Sequence, residues 1–204
     1  MRNIADNYKQ YQFSFTAAAL RLREMVLVAQ HQLEGTDLDY INELGNGKKK
    51  TATTLFSEFK RRIATLTPTQ LYLLVHGDLI TKKQIALLAI CKTHGFIRDL
   101  VTEVIREKFL VYDYEITKGD YLSFYRRKEE LHPELEAISE NTESKIRQVT
   151  FKILAETGWI DDIKNRNIQP QILDDRTLKA IVADNPEWLK IFLMSDMDIA
   201  ALKK

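Results

Sequence analysis

The sequence predicts a mainly α-helical protein of two lobes, the second carrying a winged-helix-like segment with a small β-hairpin. Three observations predict it. Apolar residues recur at helical spacing through most of the 204 residues. Glycine and proline, 7 and 4 in number, fall mainly between those runs. One alternating aromatic stretch, Tyr112-Asp113-Tyr114-Glu115-Ile116-Thr117, interrupts them near the middle. The most apolar run, residues 85–111, organises the rest and reads as two helices meeting at Gly95. Its first half, Ile85 to Cys91, is apolar nearly all round, which predicts a helix with neighbours on most sides. In its second half Phe96, Ile97, Leu100, Val101, Val104, Ile105, Lys108 and Phe109 form one wide face, opposite Arg98, Asp99, Glu103, Arg106 and Glu107. Each buried Leu, Ile or Phe there contributes roughly 1.5–3 kcal/mol against chain entropy.

Taken in order, Met1–Gln12 is polar and predicts an irregular arm. Ser14 or Thr16 can cap a helix from Ala17 to Leu33, whose stripe is Ala18, Leu22, Met25, Val26, Ala29 and Leu33, and Gly35 ends it. A short helix from Asp37 to Leu44 stops at Gly45-Asn46-Gly47, which offers left-handed backbone positions. Lys48-Lys49-Lys50 then precedes a helix from about Thr51 to Leu66, with Leu55, Phe56, Phe59, Ile63 and Leu66 inward and Lys60 and Arg61 outward. Thr67-Pro68 opens a further helix that Gly77 closes. The stretch 112–117 is a short strand or an extended linker and marks the boundary between a domain of residues 1–116 and one of residues 117–204.

The second lobe begins with a helix from Lys118 to Glu130, broken at His132-Pro133. A short helix, Pro133 to Ile138, leads to Asn141 or Thr142 as the cap of a longer one ending at Gly158. At 100° per residue Ile146, Val149, Thr150, Ile153 and Thr157 share the inner face, while Ser144, Lys145, Gln148 and Lys152 line the outer one. Residues 159–163 and 168–172 are two extended segments around the tip Lys164-Asn165-Arg166-Asn167, a predicted β-hairpin. Short helix, turn, longer helix and hairpin is the order of a winged helix, in which the longer helix enters the major groove and the hairpin tip touches phosphate. Lys145, Gln148, Lys152 and Arg166 are therefore candidate DNA contacts, and Lys48, Lys49, Lys50, Lys60 and Arg61 a second phosphate-contacting patch. Helices from Arg176 to Ala183 and, after Asn185 and Pro186, from Glu187 to about Met194 close the chain.

Composition bounds the function classes. A formal net charge of +1 gives no global basic field, so any nucleic-acid surface has to be local. The single cysteine, Cys91, precludes an intramolecular disulfide framework and fits a reducing cytoplasm. No run approaches the roughly 20 apolar residues of a membrane span, and no signal-peptide pattern opens the chain. His31, His76, His94 and His132 lack ligand spacing, and neither a phosphate loop nor a nucleophile elbow is present. The expectation is a cytoplasmic protein with no catalytic residue, no metal, no cofactor and no small-molecule substrate.

Several blocks occur in an order that resembles a known family. They are Ser14-Phe15-Thr16-Ala17, Leu88-Ala89-Ile90-Cys91-Lys92 through Phe96-Ile97-Arg98-Asp99, Val104-Ile105-Arg106-Glu107-Lys108-Phe109 through Tyr112-Asp113-Tyr114, Leu131-His132-Pro133-Glu134-Leu135, and Lys145-Ile146-Arg147-Gln148-Val149. Together they are similar to the BrxA family of bacteriophage-exclusion (BREX) defence systems. The resemblance implies a cytoplasmic, mostly helical, non-enzymatic protein with a NusB-like N-terminal lobe, other BREX proteins as partners and a capacity to bind double-stranded DNA. It carries no residue-level DNA site, so the contacts named above rest on helical geometry. Two readings stand: a DNA-binding accessory factor, or an adaptor that binds only other proteins of the defence assembly.

Overall fold

The computed structural model describes residues 10–202, so residues 1–9 of the predicted N-terminal arm lie outside the described residues. The chain runs through α1 (Phe15–Ala18), α2 (Leu22–Glu34), α3 (Tyr40–Gly45), α4 (Lys49–Ile63), α5 (Pro68–His76) and α6 (Leu79–Thr93). A continuous helix follows, made of α7 (Gly95–Leu100), a π-helical turn (Val101–Ile105) and α8 (Arg106–Leu110). After an extended linker come α9 (Lys118–Glu129), α10 (Pro133–Glu136), α11 (Glu140–Thr157) and α12 (Asp175–Val182), then a 3-10 helix (Pro186–Phe192) and α13 (Asp196–Ala201).

Helix α6 is the centre of the fold because its sequence leaves it no polar face over two turns. Every residue from Ile85 to Cys91 is fully buried, and α2, α4, α5, α7, α11 and the 3-10 helix all pack on it. The buried apolar side chains form one cluster that extends from Tyr11 to Ile199. Local signals place the ends of the elements. Thr67 and Gln70 close a capping box at the start of α5, and Asp78 accepts from the Thr81 amide at the start of α6. Gly158, in the left-handed region, ends α11.

Three expectations about the helices are corrected. The helix expected from Ala17 to Leu33 is split, because Ala19 and Arg21 take positive φ values of 49° and 43°. A distant residue holds the break: the buried Arg62 guanidinium donates to the Ala19 carbonyl (2.7 Å). The basic run does not precede its helix, since Lys49 and Lys50 lie inside the first turn of α4. Ser139, rather than Asn141 or Thr142, caps α11.

The predicted β-hairpin of 159–172 does not form. β structure among the described residues is limited to two isolated antiparallel bridges, Ile160 with Ile168 and Glu115 with Asn167. Aspartate side chains outcompete the ladder for backbone donors. Asp162 accepts from the amides of Lys164 (2.6 Å) and Asn165 (2.7 Å), and Asp161 from the amide of Asn167 (2.8 Å). The returning segment pairs with 159–161 only through the Ile160–Ile168 bridge and its two flanking bonds, Asp161 donating to the Asn167 carbonyl and Gln169 to that of Trp159, and it pairs as well with the linker, Ile168 donating to the Tyr114 carbonyl and Ile116 to that of Arg166.

Candidate nucleic-acid interface

The turn before α4 aims the lysines. A Cβ at Gly45 would lie 2.6 Å from the Ala52 Cβ, so only glycine lets α3 and α4 approach this closely. Asn46 and Gly47 then reverse the chain with φ of 47° and 80°. Lys48 becomes the N-cap residue of α4, and Lys49 and Lys50 fill its first turn, which holds no acidic residue. Ala52, Leu55, Phe59 and Ile63 are buried beneath them. Outward the helix exposes Lys49, Lys50, Thr51, Thr53, Thr54, Ser57 and Lys60, a face of amines and hydroxyls without a carboxylate. Thr54 donates back to the Lys50 carbonyl (3.0 Å), and the Lys60 ammonium lies over the Phe56 ring at 5.5 Å.

The one carboxylate of α4, Glu58, points into the protein and is 3% exposed. Its Oε1 accepts from Arg62 Nε (2.8 Å) and His94 Nε2 (2.6 Å), and its Oε2 from the Ser14 hydroxyl (2.8 Å) and Arg61 Nη2. His94 Nδ1 faces the Gln12 carbonyl (3.1 Å). Burial works to raise the Glu58 pKa, but the His94 hydrogen bond and the Arg62 charge overcome it and hold the carboxyl well below its ordinary range. Arg61, expected outward, is drawn into this cluster through Gln12, Ser14 and Glu58.

Helix α11 turns the residues of its two predicted faces inward and outward as the spacing implies. Ile146, Val149, Thr150, Ile153 and Thr157 are buried, and Lys145, Gln148 and Lys152 are exposed. Lys152 pairs with Glu156 at 3.7 Å. Arg166, expected at a projecting tip, sits with its guanidinium 4.6 Å from the centre of the Phe151 ring, and its Nε donates to the Ile163 carbonyl (3.0 Å). α4 and α11 both pack on α1 and α6.

Among the described residues no cluster of three or more His, Cys, Asp or Glu side chains could hold a metal ion. Burial pushes the Cys91 thiol far above its ordinary range, which keeps it from acting as a nucleophile. No described helix is long and apolar enough to cross a membrane.

The family described as BrxA matches residues 9–185, most of the chain. The chain belongs to the BrxA family. A relative named BREX protein BrxA from Bacillus cereus (strain H3081.97) is 31% identical over 100 residues, covering 48% of this chain and 50% of that protein. A second of the same name from Escherichia coli O9:H4 (strain HS) is 23% identical over 140 residues, covering 69% of this chain and 63% of that protein. The alignments thus span between half and just under two thirds of those relatives. The fold matches the crystal structure of an uncharacterized protein from Magnetospirillum magneticum with a TM-score of 0.77 at 17% identity, over 91% of this chain and 99% of that one. For this BrxA-family chain, the polar residues that the sequence reading passed over are Thr53, Thr54 and Ser57. Starting the helical register at Lys49 instead of Thr51 brings their run of hydroxyls onto the lysine face.

Proposed function

We propose that this protein is a non-enzymatic, DNA-binding accessory component of a BREX-type anti-phage defence system, and that the outer face of α4 is its main duplex contact. The carboxylate-free face of α4 carries this reading. Lysine ammonium groups with neighbouring Thr and Ser hydroxyls are donors of the kind that contact phosphate, and they position a duplex without reading its sequence. The placement of Lys48, Lys49 and Lys50 also works against the fold. Cations at the positive end of a helix dipole are unfavourable by roughly 0.3–1 kcal/mol each, a sign that a bound phosphate reverses.

On this reading Lys145, Gln148 and Lys152 form a weaker second contact, and Arg166 braces it from Phe151 rather than reaching phosphate directly. The order α10, turn, α11 supports a winged-helix-like C-terminal lobe, and the helices before residue 117 a NusB-like N-terminal one, the two sharing one core. Membership of the family supports a cytoplasmic location and other BREX proteins as partners. The experiment is a gel-shift titration on random duplex DNA at two salt concentrations. Binding that falls steeply with salt and is weakened by changing Lys48, Lys49 and Lys50 to glutamate is the expected result; no retention at low salt refutes the reading.

One observation favours the adaptor reading. Leu79, Ile80 and Ile172 are 63%, 64% and 81% exposed, and Ile80 and Ile172 line one groove with Pro170. Exposed aliphatic side chains gathered in this way suit a protein partner. An adaptor would bind its partners with affinity nearly independent of salt.

A further inference from the structure

We infer that the groove between α5 and α12 is a separate site for unpaired nucleotides, in which Tyr72 stacks on a base while Arg176 and Lys179 hold the adjoining phosphates. Two helix stripes of the same spacing build it. Helix α5 contributes Thr69, Tyr72 and Leu73, with His76 one turn on along the same stripe, and α12 with its C-cap contributes Arg176, Lys179, Ala180 and Ala183, both stripes at i, i+3, i+4, i+7 spacing. The two helices pack on each other. Leu73 and Ala180 are buried at the floor, and the small side chains of α12 leave an open groove of about 500 Å³, the volume of a small-ligand site.

The walls have the chemistry of a single strand. Tyr72 is 54% exposed and its ring lies 4.5 Å from that of His76, so one α5 face presents two adjacent π systems to solvent. Bases stack on such surfaces with little regard to sequence. Opposite them Arg176 and Lys179 are exposed and form no ion pair or side-chain hydrogen bond among the described residues. Four other lysines, Lys92, Lys108, Lys128 and Lys190, are by contrast each held by carboxylates. The one carboxylate lining this groove, Asp184, is neutralised by Lys92 at 2.6 Å. The groove is thus net positive, aromatic on one side and hydroxylic at Thr67 and Thr69. A duplex keeps its bases stacked inward and offers Tyr72 no π face, whereas a displaced or frayed strand does. The site shares no residue with the α4 or α11 surfaces, so it stands or falls independently of them.

The test is fluorescence anisotropy of the full chain with a labelled oligothymidine of about twelve nucleotides, the length of one single-strand site, beside a duplex of equal length. Tyr72→Ala is expected to weaken oligothymidine binding by between about 5-fold and about 150-fold, Tyr72→Phe to retain it, and the double change Arg176→Glu, Lys179→Glu to abolish it. Lys48, Lys49 and Lys50 changed to glutamate should lower duplex affinity while leaving oligothymidine affinity within twofold of wild type, about twofold marking no lost contact. Circular dichroism melts confirm that these surface variants fold. Equal binding by wild type and Tyr72→Ala overturns the inference, as does a wild-type chain that ignores oligothymidine. A glutamate-rich peptide of matched charge that binds as tightly as the oligothymidine makes the groove an acidic-peptide site and overturns it too.

Discussion

Helices α4 and α11 resemble each other in sequence and differ as surfaces. Each buries an apolar stripe against α6 and turns cations outward. On α4 the single carboxylate is inside, so the outer lysines face solvent without a counter-charge from their own helix. On α11 Lys152 is paired with Glu156, and Glu140 and Glu143 occupy the first turn. What makes a basic surface is therefore where the acids go, more than how many lysines there are. In α4 an arginine at position 62, itself fully buried, draws Glu58 inward and clears the outer face.

The largest effect breaks the inner side of α4. Replacing Glu58 with alanine leaves Arg62 and His94 without their buried partner, and unfolding measurements should show a loss of about 3–5 kcal/mol. That loss depends on pH with a definite sign. The folded-state pKa of Glu58 lies below its ordinary value of 4.5, so its contribution is complete above that value and fades as pH falls toward the folded value. The stability gap between wild type and Glu58→Ala should narrow as pH drops from about 6 to about 3; a constant gap would mean that the carboxylate charge is not what holds the cluster.

The matching inner-face change on α11, Ile153→Ala, should cost ~2–5 kcal/mol by leaving a cavity. Chemical denaturation checks it, and a cost below about 1 kcal/mol would show the site able to collapse. On the outer faces the two helices should part. Changing Lys48, Lys49 and Lys50 to glutamate should weaken duplex binding on the order of 10- to 100-fold, while thermal stability holds or rises slightly because acids suit a helix N-terminus. The double change Lys145→Ala, Lys152→Ala should cost only a few-fold, since one of its two cations is already paired. Smallest of all, Glu156→Gln frees Lys152 and should raise duplex affinity by less than about threefold, measurable by anisotropy; no change would remove α11 from the interface.

Most helices were legible because their signals are local. The Thr67-Pro68 start of α5, the break at Gly95 between α6 and α7, and the Gly158 end of α11 are written in adjacent residues. What escaped depends on distant partners. Nothing near Ala19 announces a break, and the Arg62 guanidinium that holds its carbonyl lies 43 residues away. The hairpin read well as alternating apolar residues, yet Asp161 and Asp162 turned its tip into a side-chain-stitched loop. The π turn at Val101–Ile105 keeps the same apolar face as an α-helix would, so periodicity does not reveal it. α13 was missed because its six residues carry a single buried side chain, Ile199. For the candidate site, the cations were found as residue types; their pairing was not. Arg61 and Arg166 read as free and are bound, the first to Glu58 and the second over Phe151.

The most direct measurement is the slope of log affinity against log salt for duplex DNA, taken in parallel on wild type, the Lys48, Lys49 and Lys50 glutamate variant and the Lys145, Lys152 alanine variant. Each phosphate contact contributes about 0.9 to that slope. If α4 is the main contact, its variant should lose roughly 3 from the slope and the α11 variant no more than about 1. A slope unchanged in the α4 variant and flattened in the α11 variant would contradict the assignment and place the duplex on α11.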